Sequence, residues 1–131
     1  MKIHHIGYAV KNIKSSINEF LELGFKKCGD LVEDTGRNIV IQFISNQHYT
    51  IELIAPLNEK APINNILKKL GEAPYHICYE VENFEKELEE LESKGYLIIE
   101  NPAVAKAIGN CRVAFLFRKG LGIIELLEKP I

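Results

Sequence analysis

The segment His5-Ile6-Gly7-Tyr8-Ala9-Val10 returns later in the chain as His76-Ile77-Cys78-Tyr79-Glu80-Val81, and this repeat indicates the fold. When residues 5–25 are aligned with residues 76–96, seven of the twenty-one positions are identical. The ends of the two copies agree as well, since Ile51-Glu52-Leu53-Ile54 corresponds to Ile124-Glu125-Leu126-Leu127. The sequence therefore predicts one structural unit used twice, with two histidines and two glutamates at corresponding positions.

The first copy predicts a strand, then a helix, then three more strands. Residues 3–10 are rich in aliphatic and aromatic side chains, which favours a strand with His5 on its small-residue face. Asn12 is the predicted N-cap of the helix, and Gly24 is the residue that stops it. The three following strands are predicted at residues 28–33, 39–45 and 48–55.

The second copy predicts the same order of elements. Its strands are expected at residues 75–82, 97–100, 111–118 and 122–128, its helix at 83–95, and a loop from Asn101 to Gly109. Each half has one sheet face covered by its helix and one bare face, so two halves side by side predict an α+β fold with a cupped, eight-stranded mixed sheet. We expect a single domain over residues 1–131, with modules 1–55 and 75–131 joined by a linker, 56–74, that contains a short amphipathic helix.

The amino-acid composition and net charge indicate which kinds of molecule the protein binds. The 131 residues are 47% hydrophobic, enough for a core of ordinary size, and the net charge of -2 favours neither nucleic acid nor an anionic membrane. Three cysteines without a C-x-x-C pair favour reduced thiols in a cytoplasmic protein. No apolar run reaches membrane-spanning length. A small-molecule substrate is therefore expected.

The repeated glutamates need partners. Glu52 and Glu125 each lie inside an apolar strand, where an unpaired carboxylate is costly to bury. A metal ion held together with the repeated histidines satisfies both carboxylates, and salt bridges to Arg112 or Arg118 are the alternative. Of the remaining histidines, His4 is interpreted as structural, and His48 is expected to be exposed beside a turn.

These repeated residues resemble those of the vicinal oxygen chelate superfamily, which includes glyoxalases, methylmalonyl-CoA epimerases, extradiol dioxygenases and bleomycin-resistance proteins. That family is built from paired βαβββ modules, and the resemblance covers essentially all 131 residues. In the family, the first strand of each module contributes a His and the last a Glu or Gln. The resemblance therefore implies His5, Glu52, His76 and Glu125 as metal ligands, and it also implies a homodimer.

Two imidazoles and two carboxylates suit one divalent ion such as Ni, Co or Zn. Such an ion is a Lewis acid, which stabilises the negative charge that develops when a proton leaves a carbon beside a carbonyl group. Glu125 is expected to be the principal base, with Glu52 as its counterpart on the other face of the intermediate. Lys106, in the predicted loop, is the candidate for binding an anionic tail of the substrate.

Among the enzymes of this family, the leading expectation is glyoxalase I-type chemistry, that of lactoylglutathione lyase, on a hemithioacetal. The chain resembles glyoxalase I in length and in having Glu rather than Gln at position 52, so both carboxylates for proton transfer are present. It departs from the bacterial enzymes at Ala9 and Pro56, where they have Arg and Asn.

Methylmalonyl-CoA epimerase, acting on a thioester, is the alternative. The chain resembles it in His5-Ile6-Gly7-Tyr8-Ala9-Val10, in Glu52-Leu53-Ile54-Ala55-Pro56-Leu57 and in Tyr75-His76-Ile77-Cys78. The additional catalytic Glu of that enzyme corresponds to a position near Val40 or Ile41, which are both apolar. In this interpretation Glu52 takes the place of the missing base.

Two further classes in the superfamily fit less well. Metal-free proteins that sequester a drug do not need a ligand quartet, so the presence of all four residues weighs against that class. Ring-cleaving dioxygenases use three protein ligands around iron, and a fourth leaves too few open positions for catechol and oxygen together.

Overall fold

Over residues 1–130, which the computed structural model describes, the order strand, helix and three strands occurs twice. The elements are β1 (Lys2–Ala9), α1 (Ile13–Glu22), β2 (Lys26–Asp34), β3 (Ile39–Asn46), β4 (Tyr49–Pro56), α2 (Ile63–Leu70), β5 (Ala73–Val81), α3 (Phe84–Ser93), β6 (Leu97–Ala105), β7 (Cys111–Arg118) and β8 (Gly122–Glu128). A 3-10 turn, Lys106–Ile108, follows β6. The chain divides into a first unit, His5–Tyr75, and a second unit that comprises Met1–His4 and the residues from His76 onward.

In the first unit the strands lie in the order β2-β3-β4-β1. Strand β1 is parallel to β4, whereas β3 is antiparallel to both β4 and β2. The register places Glu52 of β4 beside Gly7 on one side and beside Phe43 on the other. Because side chains alternate along a strand, His5, Glu52 and Phe43 share one face of this part of the sheet.

Helix α1 covers the other face of the first unit. The Asn12 side chain accepts a hydrogen bond from the Ser15 backbone N–H at 3.0 Å, which caps the helix as predicted. Gly24 ends it with a positive φ of 91°, a conformation that glycine adopts without strain. The buried cluster beneath the helix consists of Val10, Ile13, Ile17, Ile44, Leu53 and Ala55. The helix and this cluster cover one face of the first unit's strands. The candidate functional side chains of the first unit lie on the opposite face, with His5.

The second unit repeats this arrangement with the strand order β5-β8-β7-β6. Strands β5 and β8 are parallel, and β7 is antiparallel to β8 and β6. Asn83 caps α3 by accepting a hydrogen bond from the Lys86 N–H at 3.1 Å. The core under α3 consists of Val81, Phe84, Leu91, Ala114, Leu116, Ile124 and Leu126. The α+β class with two βαβββ modules and mixed strand directions is therefore confirmed.

Two boundaries differ from the sequence predictions. Strand β6 runs through Ala105, although the segment from Asn101 to Gly109 was predicted as a loop. Register shifts on either side of Glu100 form bulges, and Pro102 is tolerated because β6 is at the end of the strand order in its unit. Strand β2 likewise begins at Lys26 and contains a register shift between Cys28 and Val32.

A single domain made of modules 1–55 and 75–131 joined by linker 56–74 stays a prediction. Helix α2 lies within the predicted linker 56–74, while β4 extends to Pro56 and β5 begins at Ala73. The predicted domain ends at Ile131, which lies outside the described residues. None of the helices formed by residues 1–130 has both the length and the apolar character needed to cross a bilayer.

Candidate metal centre

The first unit brings His5 and Glu52 together. The Nε2 atom of His5 lies 3.3 Å from Oε1 of Glu52, and the two residues are 1% and 2% exposed. This contact follows from the parallel pairing of β1 with β4, which sets Gly7 beside Glu52 and brings His5, two residues earlier on the same face, within reach. An imidazole and a carboxylate are thus held against each other away from water.

The second unit forms the corresponding pair. The Nε2 atom of His76 lies 3.2 Å from Oε1 of Glu125, with the residues 4% and 1% exposed. Here β5 and β8 are parallel, and Cys78 lies beside Glu125 where the first unit has Gly7 beside Glu52. Each unit therefore has one buried His–Glu contact of its own, and a metal site formed by all four residues stays a prediction.

The geometry of each pair fits two neighbouring ligands of one ion. Imidazole nitrogens and carboxylate oxygens lie about 2.0 to 2.2 Å from zinc, so two such ligands are about 2.9 Å apart at a right angle and about 3.4 Å apart at a tetrahedral angle. The observed separations of 3.3 and 3.2 Å lie within that interval. They are longer than the ~2.7–2.9 Å typical of a charge-assisted hydrogen bond. The donor set therefore suits a divalent cation.

Each imidazole also meets an aromatic ring edge-on. The ring centroids of His5 and Phe43 are 5.3 Å apart with the planes at 81°, and those of His76 and Phe115 are 5.1 Å apart at 85°. Sequence reasoning missed both phenylalanines. A signal was present, because Phe43 precedes Glu52 by nine residues and Phe115 precedes Glu125 by ten.

The arginines that offered an alternative partner for the buried glutamates have other partners. Nε of Arg112 lies 2.7 Å from Oε2 of Glu128, its Nη1 lies 2.6 Å from Oε1 of Glu85, and its guanidinium packs over the Phe84 ring. The hydrogen bonds from Arg112 lower the pKa of Glu85 and of Glu128, and those two carboxylates raise the pKa of Arg112.

Arg118 donates to the Lys94 carbonyl at 2.7 Å and lies over the Tyr96 ring. Arg112 and Arg118 are therefore engaged on the helix-covered side of β7, whereas Phe115, opposite Glu125, faces the other way. Neither arginine takes the role of partner to the pair of the second unit.

Lys106, His48 and Cys78 differ in their surroundings. Lys106 is exposed at the first position of the 3-10 turn after β6. His48 is exposed in the turn between β3 and β4, as expected. Cys78 is fully buried beside Glu125 in the β5–β8 register.

Most of the chain matches one protein superfamily. Residues 4–115 match the model of the Glyoxalase/Bleomycin resistance protein/Dioxygenase superfamily. Because the match spans most of the chain, the protein belongs to that superfamily, and the resemblance seen in the sequence is confirmed.

Individual proteins similar to this chain are known both by sequence and by structure. The chain is 28% identical to the mitochondrial methylmalonyl-CoA epimerase of Dictyostelium discoideum, over 98% of this chain and 78% of the relative. A hypothetical protein from Bacillus halodurans has a similar structure, with a TM-score of 0.87 at 30% identity, covering 99% of this chain and 95% of the other.

The methylmalonyl-CoA epimerase of Mycobacterium tuberculosis has a TM-score of 0.85 at 24% identity, over 99% and 89% of the two chains, which shows a shared fold. The relatives named as methylmalonyl-CoA epimerases favour the epimerase alternative of the sequence analysis. The comparisons do not support the leading expectation, glyoxalase I.

Proposed function

We propose that the protein is an epimerase of acyl-CoA thioesters, acting on methylmalonyl-CoA or a close analogue. The observation that carries this proposal is the buried His–Glu pair, which occurs once in each unit with separations of 3.3 and 3.2 Å. The Dictyostelium relative named as a methylmalonyl-CoA epimerase, similar over nearly the whole chain, supports the substrate class. Epimerisation needs a proton removed from one face of a carbon and returned to the other, so two carboxylates suit it.

The proposed cofactor is one divalent ion, Ni, Co or Zn, held by His5, Glu52, His76 and Glu125. The sequence duplication supports a shared ion, because it supplies one imidazole and one carboxylate from each module. Two carboxylates balance the charge of a divalent cation. When bound, the ion supplies a Lewis acid that stabilises negative charge on the thioester carbonyl.

The carboxylates carry the proposed proton transfers. Glu125 takes the proton from the carbon next to the thioester carbonyl, and the electrons of the broken C–H bond delocalise into that carbonyl. Glu52, in its protonated form, returns a proton to the opposite face, which inverts the configuration. Exchange with solvent then resets both carboxylates for another turnover in the same direction.

Strand β3 gives a reason to assign this second role to Glu52. The residues of β3 on the Glu52 face are Ile39, Ile41, Phe43 and Ser45, so this strand supplies no acid there. Ile41 is 1% exposed and lies beside Ile54. Glu52 of the neighbouring strand β4 is a buried carboxylate, and we assign it as the second base.

Lys106 is proposed to bind an anionic part of the substrate, such as a phosphate of coenzyme A. Its ammonium group is a cation on a flexible stem at the exposed start of the 3-10 turn. A cytoplasmic homodimer stays a prediction, and light scattering on the purified protein tests the dimer by a mass twice that of one chain.

The deciding experiment compares two substrates on one preparation. Protein loaded in turn with Ni, Co and Zn is incubated in D2O with methylmalonyl-CoA, and separately with the hemithioacetal of methylglyoxal and glutathione. We expect deuterium to enter the carbon next to the thioester together with inversion, and no lactoylglutathione. Turnover of the hemithioacetal alone would restore the glyoxalase interpretation. Failure to take up any of the three metals would support a metal-free binding protein instead.

A further inference from the structure

Two phenylalanines occupy equivalent places beside the two imidazoles. Phe43 of β3 meets His5 edge-on with ring centroids 5.3 Å apart, and Phe115 of β7 meets His76 in the same way at 5.1 Å. Phe115 is 8% exposed, and Phe43 is half-buried. In each contact the ring planes are within ten degrees of perpendicular, at 81° and 85°. A perpendicular arrangement is one that aromatic rings favour.

The strand register explains why the arrangement recurs. Phe43 is directly opposite Glu52 in the antiparallel β3–β4 pair, and Phe115 is directly opposite Glu125 in the β7–β8 pair. Phe, Glu and His therefore lie side by side on three neighbouring strands in each unit, all on one face. The two hairpins that bring Phe opposite Glu differ in length. The spacing from Phe to Glu is nine residues in the β3–β4 hairpin and ten in the β7–β8 hairpin.

We propose that Phe43 and Phe115 are positioning residues of the metal centre. Each ring holds the plane of its imidazole, so that Nε2 stays directed at Oε1 of the neighbouring glutamate before any ion binds. An imidazole that is fixed in advance loses little freedom when it binds a cation, and this preorganisation raises the affinity. The inference rests on the proposed metal site, and it adds two residues that do not touch the ion.

The test uses substitutions that keep an apolar side chain but remove the ring, Phe43→Leu and Phe115→Leu. Binding of Co²⁺ is measured by calorimetry without substrate, and the visible absorption spectrum reports the geometry of the bound ion. We expect affinity about 10-fold weaker or more in each variant, as for other residues that orient metal ligands, together with an altered spectrum.

Phe20→Leu is the matched control. Phe20 makes the same kind of edge contact, with Tyr8 at 5.2 Å and Phe25 at 5.4 Å, but it belongs to α1 on the helix-covered face. This variant is expected to lower the thermal midpoint while it leaves the Co²⁺ affinity and spectrum unchanged. Phe43→Tyr, which keeps the ring at a half-buried position, is expected to bind Co²⁺ like the wild type.

The outcomes separate this inference from the proposed activity. If the wild type binds Co²⁺ and both leucine variants match its affinity and spectrum, the positioning role is wrong, whatever the protein does to thioesters. An equal effect in Phe20→Leu would show a general loosening of the fold and would also overturn it. Weaker binding confined to Phe43→Leu and Phe115→Leu supports the role even if methylmalonyl-CoA is not a substrate.

Discussion

His76 and Glu125 lie on adjacent parallel strands with Nε2 and Oε1 3.2 Å apart, and both residues are almost completely buried. Burial matters because a carboxylate shielded from water needs a compensating cation or hydrogen-bond donor. A contact of this kind is repeated by His5 and Glu52 in the other unit at 3.3 Å.

Replacing one imidazole is expected to abolish metal binding. His76→Ala removes a ligand nitrogen from a buried position, and the truncated side chain offers no other donor atom. Dialysis against Ni²⁺ followed by elemental analysis is expected to show about one ion per wild-type chain and none in the variant. His48→Ala, at an exposed turn position, is the control and is expected to bind like the wild type. Equal metal content in His76→Ala would remove this residue from the site.

Glu125→Gln is expected to keep the metal and lose turnover. The amide oxygen remains a ligand atom, but an amide does not accept a proton from carbon, and general base catalysis contributes about 10²–10⁴-fold to rate. Epimerisation of methylmalonyl-CoA, measured at fixed metal content, is expected to fall by at least about 100-fold. The control is Glu89→Gln on the exposed side of α3. Unchanged turnover in Glu125→Gln would rule out its role as base.

Glu52→Gln distinguishes a two-base mechanism from a one-base mechanism. With Glu125 intact, the variant is expected to exchange the proton of one epimer with solvent deuterium but not to invert it, because the second base is missing. NMR of each pure epimer in D2O measures exchange and inversion separately. Inversion at the wild-type rate would show that Glu52 is a ligand only.

Lys106→Gln tests recognition of the anionic part of the substrate. An exposed ion pair contributes about 0.2–1 kcal/mol, so the KM for methylmalonyl-CoA is expected to rise by up to about fivefold while kcat stays unchanged. The N-acetylcysteamine thioester, which has no phosphate, is expected to show no such difference between variant and wild type. Lys94→Gln, another exposed lysine of the second unit, is the control. An equal rise in KM for both thioesters would contradict a phosphate contact.

The Arg112 cluster predicts a pH dependence of stability. Arg112 lowers the pKa of Glu85 and of Glu128 in the folded state, so their ion pairs add stability above the ordinary carboxyl pKa and lose it as the pH falls through the lowered folded values. Urea unfolding is therefore expected to show Arg112→Met less stable than the wild type near neutral pH. The part of the difference in free energy of unfolding that comes from the ion pairs is expected to vanish at acid pH, where both carboxylates are protonated. A difference that is constant with pH would instead indicate packing over Phe84.

Much of the architecture was predictable because it depends on local periodicity. Each helix cap, at Asn12 and Asn83, depends on a few consecutive residues, and so does the alternation of side chains along β1 and β5. The structure shows all of these features as expected. The extent of β6 was wrong, because its bulges around Glu100 depend on pairing with β7 rather than on local propensity. The preference for glyoxalase chemistry was not supported either, since substrate choice does not follow from the ligand residues alone.

By itself, the sequence determined that one unit is used twice and that each copy carries a histidine and a glutamate on strands with apolar neighbours. The tertiary structure decided which atoms meet. It set the Nε2–Oε1 separations, the edge contacts of Phe43 and Phe115, and the engagement of Arg112 with Glu85 and Glu128. The physical reason is that strand register joins residues far apart in the chain, and register is fixed by the packing of whole strands and helices rather than by any short stretch.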